Sequence, residues 1–385
     1  MEESFLVRPI LDGLTIQREH ALKEYGRWVV ETTRAFQAFF REHKFYFVIL
    51  IVIFSFALPF ALLFGLDPQS FNSTWKGRTF YLFFVWLIVL ELILLEKPRQ
   101  DNIRLKSLRT VVLAASICLP TVYVVAVNFL GLAANLANLA DFFAIPFAPI
   151  QRPSWIYWSW SLSLEYLVFA MLFALIVVVA YGKAGLKNFS ISFLFIGAVG
   201  TVYMMDTLYP YGYFTPFQAF VPFTASLAAG FLNFLGYQTA FTGQSLGTPV
   251  LALYDSSGNL ITQYGVGWPC AGVQSLLIYT CVMLIFFKRS AIPLLHRGIY
   301  FIIGALITYG VNILRITSIY LTYANNLSQG REAAHQAAML FHDYYGGLYS
   351  MTWIVAYPLI VIGASLLWTR IKMRMQFLKS GQDFE

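Results

Sequence analysis

The sequence predicts an all-α membrane protein that crosses the bilayer about eight times, and three observations lead to this prediction. Of the 385 residues, 58% are hydrophobic and only 12% are charged, a composition too apolar for one soluble core. Apolar runs long enough to cross about 30 Å of hydrocarbon recur along the whole chain. Lys and Arg cluster in alternate connections between these runs, as the positive-inside rule requires.

Eight apolar segments have the length of a membrane span. They cover residues 45–65, 79–95, 110–131, 155–182, 190–207, 270–288, 298–322 and 346–369. Together they define a transmembrane domain at 45–369. The charged residues 1–44 that precede it predict a cytoplasmic amphipathic segment and not a cleavable signal peptide. Residues 370–385 form a basic tail, also expected in the cytoplasm.

The basic residues set the predicted orientation. With this topology, 21 Lys or Arg lie on one side, four lie on the other, and Arg315 lies within a span. Because the richer side faces the cytoplasm, both termini are expected there. The net charge of +7 is then a sign of topology, and no nucleic-acid partner is predicted.

Residues 217–239 are apolar enough to be mistaken for a ninth span, but a crossing there would turn the later basic clusters outward. Polar residues interrupt the segment. We therefore expect an amphipathic helix in the outer interface, with a re-entrant hairpin as the alternative.

A β-hairpin is predicted next, within an extracytoplasmic unit at 209–269 that has no Lys or Arg. Residues 249–254 and 259–264 are β-prone, and the turn residues 255–258 separate them. The hairpin is expected to pack on the interfacial helix, because a short hairpin is marginal alone in water.

Cys270 is the first candidate catalytic residue. Cys118 and Cys281, the other two cysteines, lie inside apolar spans, where a cysteine is usually a small buried side chain. Pro269 suits the first turn of a span, which would place Cys270 in that turn at the outer surface. A helix N-terminus favours a thiolate, and Gly272 would leave room for a substrate backbone.

Arg315 and Asn312 form a polar stripe on the seventh span. The span runs outward from Gly298, which puts Arg315 about 25 Å along it. An unpaired guanidinium at that depth is costly. We expect an inward-facing anion binder or oxyanion stabiliser, with a snorkelling arginine as the alternative.

His342 and Glu165 complete the set of candidates. His342 precedes the eighth span on the same side of the membrane and has a side chain suited to acid–base work. A metal site using His335, His342 and Asp343 competes with that role, but no third strong ligand has metal-like spacing, so neither a metal nor a cofactor is predicted. Glu165 lies about 15 Å below the outer surface, where it must be paired or protonated. We expect it to orient Arg315 through an ion pair.

Together these residues resemble a known family. The matching stretches are Cys270-Ala271-Gly272, Asn312-Ile313-Leu314-Arg315 and His342. They are similar in order and spacing to the exosortase/archaeosortase family of multi-pass cysteine transpeptidases. The resemblance covers residues 155–369. Ala271 replaces the serine common in bacterial members, and His342 stands where some archaeal members carry arginine. The two departures leave the subfamily open, an archaeal member included.

The resemblance implies a reaction. Cys270 would attack the C-terminal sorting signal of a membrane-anchored surface protein and form a thioester, with His342 moving the protons. Arg315 would stabilise the oxyanion or position the signal. An amine, in archaeal relatives that of a membrane lipid, would then accept the protein.

Three other functions stay open at this point. A hydrolytic intramembrane cysteine protease would use the same residues and transfer the acyl group to water. A transporter could use Glu165 and Arg315 as midplane charges, although eight spans without an evident repeat favour it little. A thiol oxidoreductase would need a partner for Cys270, and Cys281 lies three turns deeper.

Overall fold

A computed structural model provides the three-dimensional structure. It describes residues 31–32, 38–39, 47–73, 76–93, 108–144, 155–208, 216–245, 248–288, 290 and 292–380. The predicted segment 1–44 lies almost entirely outside the described residues. The chain divides into two compact units, residues 1–54 with 98–102 and residues 55–97 with 103–385. Every residue of the site described below belongs to the second unit.

The described residues form eleven α-helices. Their bounds are α1 (Phe47–Leu66), α2 (Thr79–Ile93), α3 (Leu108–Phe129), α4 (Leu132–Ala144), α5 (Trp155–Asn188), α6 (Ser190–Leu208), α7 (Val221–Phe234), α8 (Val273–Lys288), α9 (Leu294–Asn326), α10 (Arg331–Leu340) and α11 (Gly346–Ser380). Short 3-10 turns occur at Pro68–Phe71, Pro216–Phe220, Trp268–Ala271 and Leu327–Gln329, and a π-helical turn at Phe341–Tyr345 joins α10 to α11.

Six helical stretches are long and apolar enough to cross a membrane, and two shorter apolar helices, α2 and α8, accompany them. These eight elements coincide with the eight predicted spans, which confirms a polytopic all-α membrane protein. The helix α4 was not predicted. The helix α7 has 14 residues, and it is neither one of the six long helices nor one of the two shorter apolar helices.

The chain between α7 and α8 forms a sheet of three antiparallel strands in the order β1-β2-β3. They are β1 (Gln238–Ser245), β2 (Thr248–Tyr254) and β3 (Leu260–Gly265). The predicted hairpin is β2 and β3, and Asp255 stabilises its turn by accepting hydrogen bonds from the Ser257 and Asn259 amides, both at 2.8 Å. The strand β1 was not expected, because its first residues had been assigned to the preceding helix. Gly236, with φ of +92°, follows α7 and provides the left-handed conformation that lets the chain reverse.

The helix α7 and this sheet pack together as a cap, residues 221–265, over one part of α9. Alanines along one face of α7 allow close contact with β2. Tyr320 of α9 is buried, and its hydroxyl donates to the carbonyl of Leu251 at 3.0 Å. Trp268 and Ala271 belong to the same apolar core. The cap therefore fixes the chain that leads from β3 into α8.

Candidate active site

Cys270 lies in the 3-10 turn Trp268–Ala271, directly before α8. Its amide donates to the carbonyl of Gly267 at 3.0 Å, and its side chain is half-buried. The prediction that Cys270 lies in the first turn of an α-helix is therefore wrong. The residue lies in the 3-10 turn that comes before that helix. Pro269 explains the difference, because it suits the start of the tight turn and Gly272 then redirects the chain into α8.

Gly272 is required at this junction for two reasons. Its φ is +88°, a left-handed conformation that a side chain would strain. A Cβ added there would also lie 3.2 Å from the Asn312 side-chain nitrogen. The same nitrogen donates to the carbonyl of Cys270 at 2.7 Å. The space expected for a substrate backbone is thus occupied by Asn312, which fixes the cysteine turn to α9.

His342 faces the thiol from the π-helical turn Phe341–Tyr345. Its Nε2 lies 3.8 Å from the Cys270 Sγ, and its Nδ1 lies 2.7 Å from Asp343 Oδ1. Such π-helical turns occur often at functional sites, where they turn a side chain away from the regular helical direction. The result is a row of thiol, imidazole and carboxylate.

Asp343 was considered in the sequence only as a metal ligand, and its contact with the imidazole was missed. A neighbour in sequence rarely faces the same way on an α-helix, so no regular spacing predicted the contact. His335 is exposed and pairs with the Tyr264 hydroxyl at 3.3 Å. Among the described residues, no group of three His, Cys, Asp or Glu side chains has the spacing of a metal site.

The surroundings of Cys270 favour its thiolate. Burial opposes ionisation, but the hydrogen bond with His342 and the positive charges of His342 and Arg315 outweigh it. The pKa of Cys270 is therefore lowered from its ordinary value. A thiolate is the form in which cysteine acts as a nucleophile.

Arg315 forms a hydrogen bond with the main chain of His342. Its Nη2 donates to the carbonyl of His342 at 2.9 Å, and its aliphatic part packs where a side chain on Gly346 would otherwise lie. The predicted inward orientation is thus observed, and the π-helical turn is tied to α9. One nitrogen, Arg315 Nε, is buried and has no hydrogen-bond partner among the described residues.

Glu165 does not pair with Arg315, so that prediction is wrong. Its carboxylate binds Arg78 in bidentate fashion, with Nε at 2.8 Å and Nη2 at 3.0 Å. The hydroxyl of Tyr81 also donates to it at 2.8 Å. Arg78 had been counted as a loop charge, but it is buried. The depth of Glu165 in its span does not determine whether Arg78 or Arg315 lies beside its carboxylate.

Asp206 was missed by the sequence reasoning. It is buried near the end of α6, where it accepts from the Trp268 indole nitrogen at 2.7 Å and pairs with Lys76 at 2.8 Å. Trp268 begins the turn that carries Cys270, so this chain of contacts fixes the turn from the side opposite Asn312. A lone aspartate near the end of an apolar span was the available signal.

The fold and site together define a multi-pass membrane protein in which a thiol that precedes α8, an imidazole that precedes α11 and an arginine of α9 meet. The sequence profile of the transmembrane exosortase family matches residues 74–359, well over half of the chain. The chain therefore belongs to the transmembrane exosortase family. The match begins before the stretch 155–369 on which the resemblance was first noticed, and it takes in Lys76 and Arg78. No curated protein and no solved structure gives a significant match.

Proposed function

We propose that this protein is a cysteine transpeptidase that removes a C-terminal sorting signal from membrane-anchored proteins and transfers them to an amine, that of a membrane lipid. The observation that carries the proposal is the contact of 3.8 Å between Cys270 Sγ and His342 Nε2, with Arg315 holding the main chain of His342. Membership of the exosortase family supports the general sorting role.

The first half-reaction makes a thioester. The Cys270 thiolate attacks the carbonyl carbon of the scissile peptide, and a C–S bond forms. As the C–N bond breaks, protonated His342 gives its proton to the leaving amine. The released fragment is the C-terminal tail of the substrate, and the rest of the substrate stays on Cys270.

The second half-reaction releases the product. An acceptor amine attacks the thioester, and neutral His342 takes a proton from the attacking nitrogen. An amide bond forms, the C–S bond breaks, and Cys270 leaves as a thiolate. Water in place of the amine would give a free carboxylate, which is the hydrolytic alternative.

The neighbouring residues position this pair. Asp343 accepts from His342 Nδ1 and so holds the imidazole with Nε2 towards the thiol. Arg315 holds the π-helical turn, and its charge offsets the negative charge on the thiolate and on the carbonyl oxygen of the substrate. Asn312 and Gly272 fix the cysteine turn.

The site is proposed to face outward, with both termini in the cytoplasm, as the distribution of Lys and Arg indicates. A membrane-impermeant thiol reagent tests this proposal in intact cells. Cys270 should react from outside, whereas Cys118 and Cys281 should not. Labelling of Cys270 only after the cells are permeabilised would contradict the proposed orientation.

The transpeptidase itself is tested by mass spectrometry of the surface proteins in cells that make this enzyme or its Cys270→Ala variant. With the active enzyme, some proteins should lack their C-terminal hydrophobic segment and carry an amine-linked lipid at the new C-terminus. With Cys270→Ala, the same proteins should keep the segment. A free carboxylate at the new C-terminus would establish hydrolysis instead, and no difference between the cells would overturn both reactions.

A further inference from the structure

A small cavity lies behind Arg315, between α2, α8, α9 and α11. Its volume is about 30 Å³, enough for one or two atoms the size of a water oxygen. Thr79 and Phe80 of α2 form one wall, and Gly347 and Met351 of α11 form another. Neither Cys270 nor His342 is among its lining residues.

Three of the lining residues each carry one buried polar atom that has no hydrogen-bond partner among the described residues. These atoms are Arg315 Nε, Gln274 Nε2 and Ser350 Oγ. Each buried polar atom left without a partner costs about 1–3 kcal/mol, and native proteins keep few of them. The residues that carry these atoms belong to three different helices and line one small cavity. This arrangement indicates a ligand that forms hydrogen bonds with all three atoms.

The donors define the chemistry of that ligand. The Arg315 Nε and Gln274 Nε2 atoms can only donate, and the Ser350 hydroxyl can donate. A single water molecule accepts two hydrogen bonds, so it would leave one of the three donors unsatisfied. An acceptor without hydrogens fits better, and the volume admits a single atom and not a polyatomic oxyanion.

Charge supports an anion. No carboxylate of the described residues lies within ion-pair distance of Arg315. An arginine within a span is costly without a counter-charge. The thiolate of Cys270 and the carboxylate of Asp343 act on it from the catalytic side, and Arg315 also lines the cavity.

We propose that this cavity is a binding site for one monatomic anion, chloride, held by Arg315, Gln274 and Ser350, and that the bound anion lowers the reactivity of Cys270. Gln274 is the second residue of α8 and follows Cys270 by four residues, and Ser350 lies one turn after Gly346 on α11. An anion there offsets part of the charge that Arg315 presents to the thiolate. The halide concentration would therefore set the fraction of Cys270 that is present as the reactive thiolate.

The experiment uses the full-length protein in nanodiscs, with Cys118 and Cys281 changed to Ala so that Cys270 is the only thiol. Its alkylation by iodoacetamide is followed at constant pH and ionic strength, in sodium chloride and in sodium gluconate. The rate should be about threefold higher in gluconate, which corresponds to about half a pKa unit of thiolate stabilisation. Bromide should replace chloride.

Two variants locate the effect. Ser350→Ala and Gln274→Leu each remove one of the three donors, and each should make the alkylation rate nearly the same in chloride and gluconate. Thr317→Ala is the matched control, because the Thr317 hydroxyl bonds within its own helix, to the Ile313 carbonyl at 3.0 Å, and does not line the cavity. It should keep the full response to chloride.

Chloride-35 NMR of the unmodified protein provides a measurement that needs no variant. The chloride line should broaden with protein and sharpen again as bromide is added. Equal alkylation rates in the two salts, a response that persists in Ser350→Ala and Gln274→Leu, or an unbroadened line would each overturn the proposal. Because none of these readouts requires peptide transfer, the anion site and the transpeptidase function can fail independently.

Discussion

Arg78 and Arg315 are two arginines enclosed by helices, and they are held in opposite ways. Arg78 is buried and forms a bidentate pair with the Glu165 carboxylate, which Tyr81 completes. Arg315 makes one hydrogen bond to a main-chain carbonyl and leaves its Nε without a partner among the described residues. The first guanidinium is neutralised by the protein, and the second is not.

The difference separates a structural charge from one available for chemistry. A closed ion pair in a low dielectric holds helices together, but its field is largely cancelled at a distance. A guanidinium whose counter-charge is a thiolate can stabilise that thiolate and the negative charge that develops during acyl transfer. Lys76 follows the structural pattern, since it pairs with Asp206. Five predictions test this contrast.

The largest effect is expected at Cys270 itself. Cys270→Ala should abolish removal of the C-terminal segment from substrate proteins, because no other described thiol faces His342. Cys281→Ala is the matched control: Cys281 is buried on α8, the helix that follows Cys270, and its loss should leave processing intact. Processing that survives Cys270→Ala, read by mass spectrometry of the surface proteins, would exclude a cysteine nucleophile.

The two arginines are compared by the same conservative change. Arg315→Lys should lower processing by about 100-fold, because lysine cannot reproduce the directed contact with the His342 carbonyl. Arg78→Lys should instead lower the thermal midpoint by several degrees, since a bidentate pair is lost, and should leave processing per folded molecule unchanged. The reverse pattern in melting and processing assays would contradict the assignment of roles.

Glu165→Gln tests the structural pair from the other side. Removing the carboxylate leaves Arg78 buried without a counter-charge, which should cost about 3–5 kcal/mol of stability. Denaturant unfolding measures this loss, and alkylation of Cys270 serves as the control readout. A change in alkylation at unchanged stability would restore the rejected pairing of Glu165 with Arg315.

His342→Ala is expected to act through the acidity of the thiol. In the unmodified protein burial raises the pKa of Cys270, but the hydrogen bond with His342, the charges of His342 and Arg315 and the hydrogen bond with Gly267 together outweigh it, so the pKa is lowered. Without the imidazole, burial prevails and the pKa of Cys270 rises. The midpoint of the alkylation rate against pH should therefore move to higher pH, and an unmoved midpoint would show that the contact does not form.

Asp343→Asn should have the smallest effect on catalysis. The carboxylate orients His342 from an exposed position, so solvent screens its charge. We expect processing to fall about tenfold or less, with the alkylation rate nearly unchanged. Asp343→Glu should recover part of the loss, whereas equal losses in both variants would argue against an orienting carboxylate.

The sequence alone predicted the eight membrane elements. It also placed the candidate residues of three of them on the same side of the membrane. Length and hydrophobicity depend on the chain itself, so each predicted span overlaps an apolar helix, although α5 and α11 continue beyond the predicted ends at 182 and 369. The inward direction of Arg315 also followed, because an unpaired guanidinium in lipid is costly whatever surrounds it. The sequence placed Cys270 and His342 near each other because each comes just before a span on the same predicted side of the membrane.

What the sequence did not provide was the rotation of each helix and the partner of each charge. Glu165 had two arginines within plausible depth, and only packing selects Arg78. The contact of Asp343 with His342 depends on a π-helical turn, which has no reliable sequence signal. The first two residues of β1 fell within the helix predicted at 217–239, because the glycine at 236 that separates α7 from β1 is a weak signal.

The most direct test is to trap the thioester. The protein is mixed with a membrane-anchored substrate and quenched with acid, and the mass of the intact protein is measured before and after treatment with hydroxylamine. If Cys270 and His342 carry out acyl transfer, a substrate adduct should map to Cys270, disappear with hydroxylamine and be absent in Cys270→Ser. An adduct at another residue, or full processing with no adduct at Cys270 at any time, would contradict acyl transfer through this thiol.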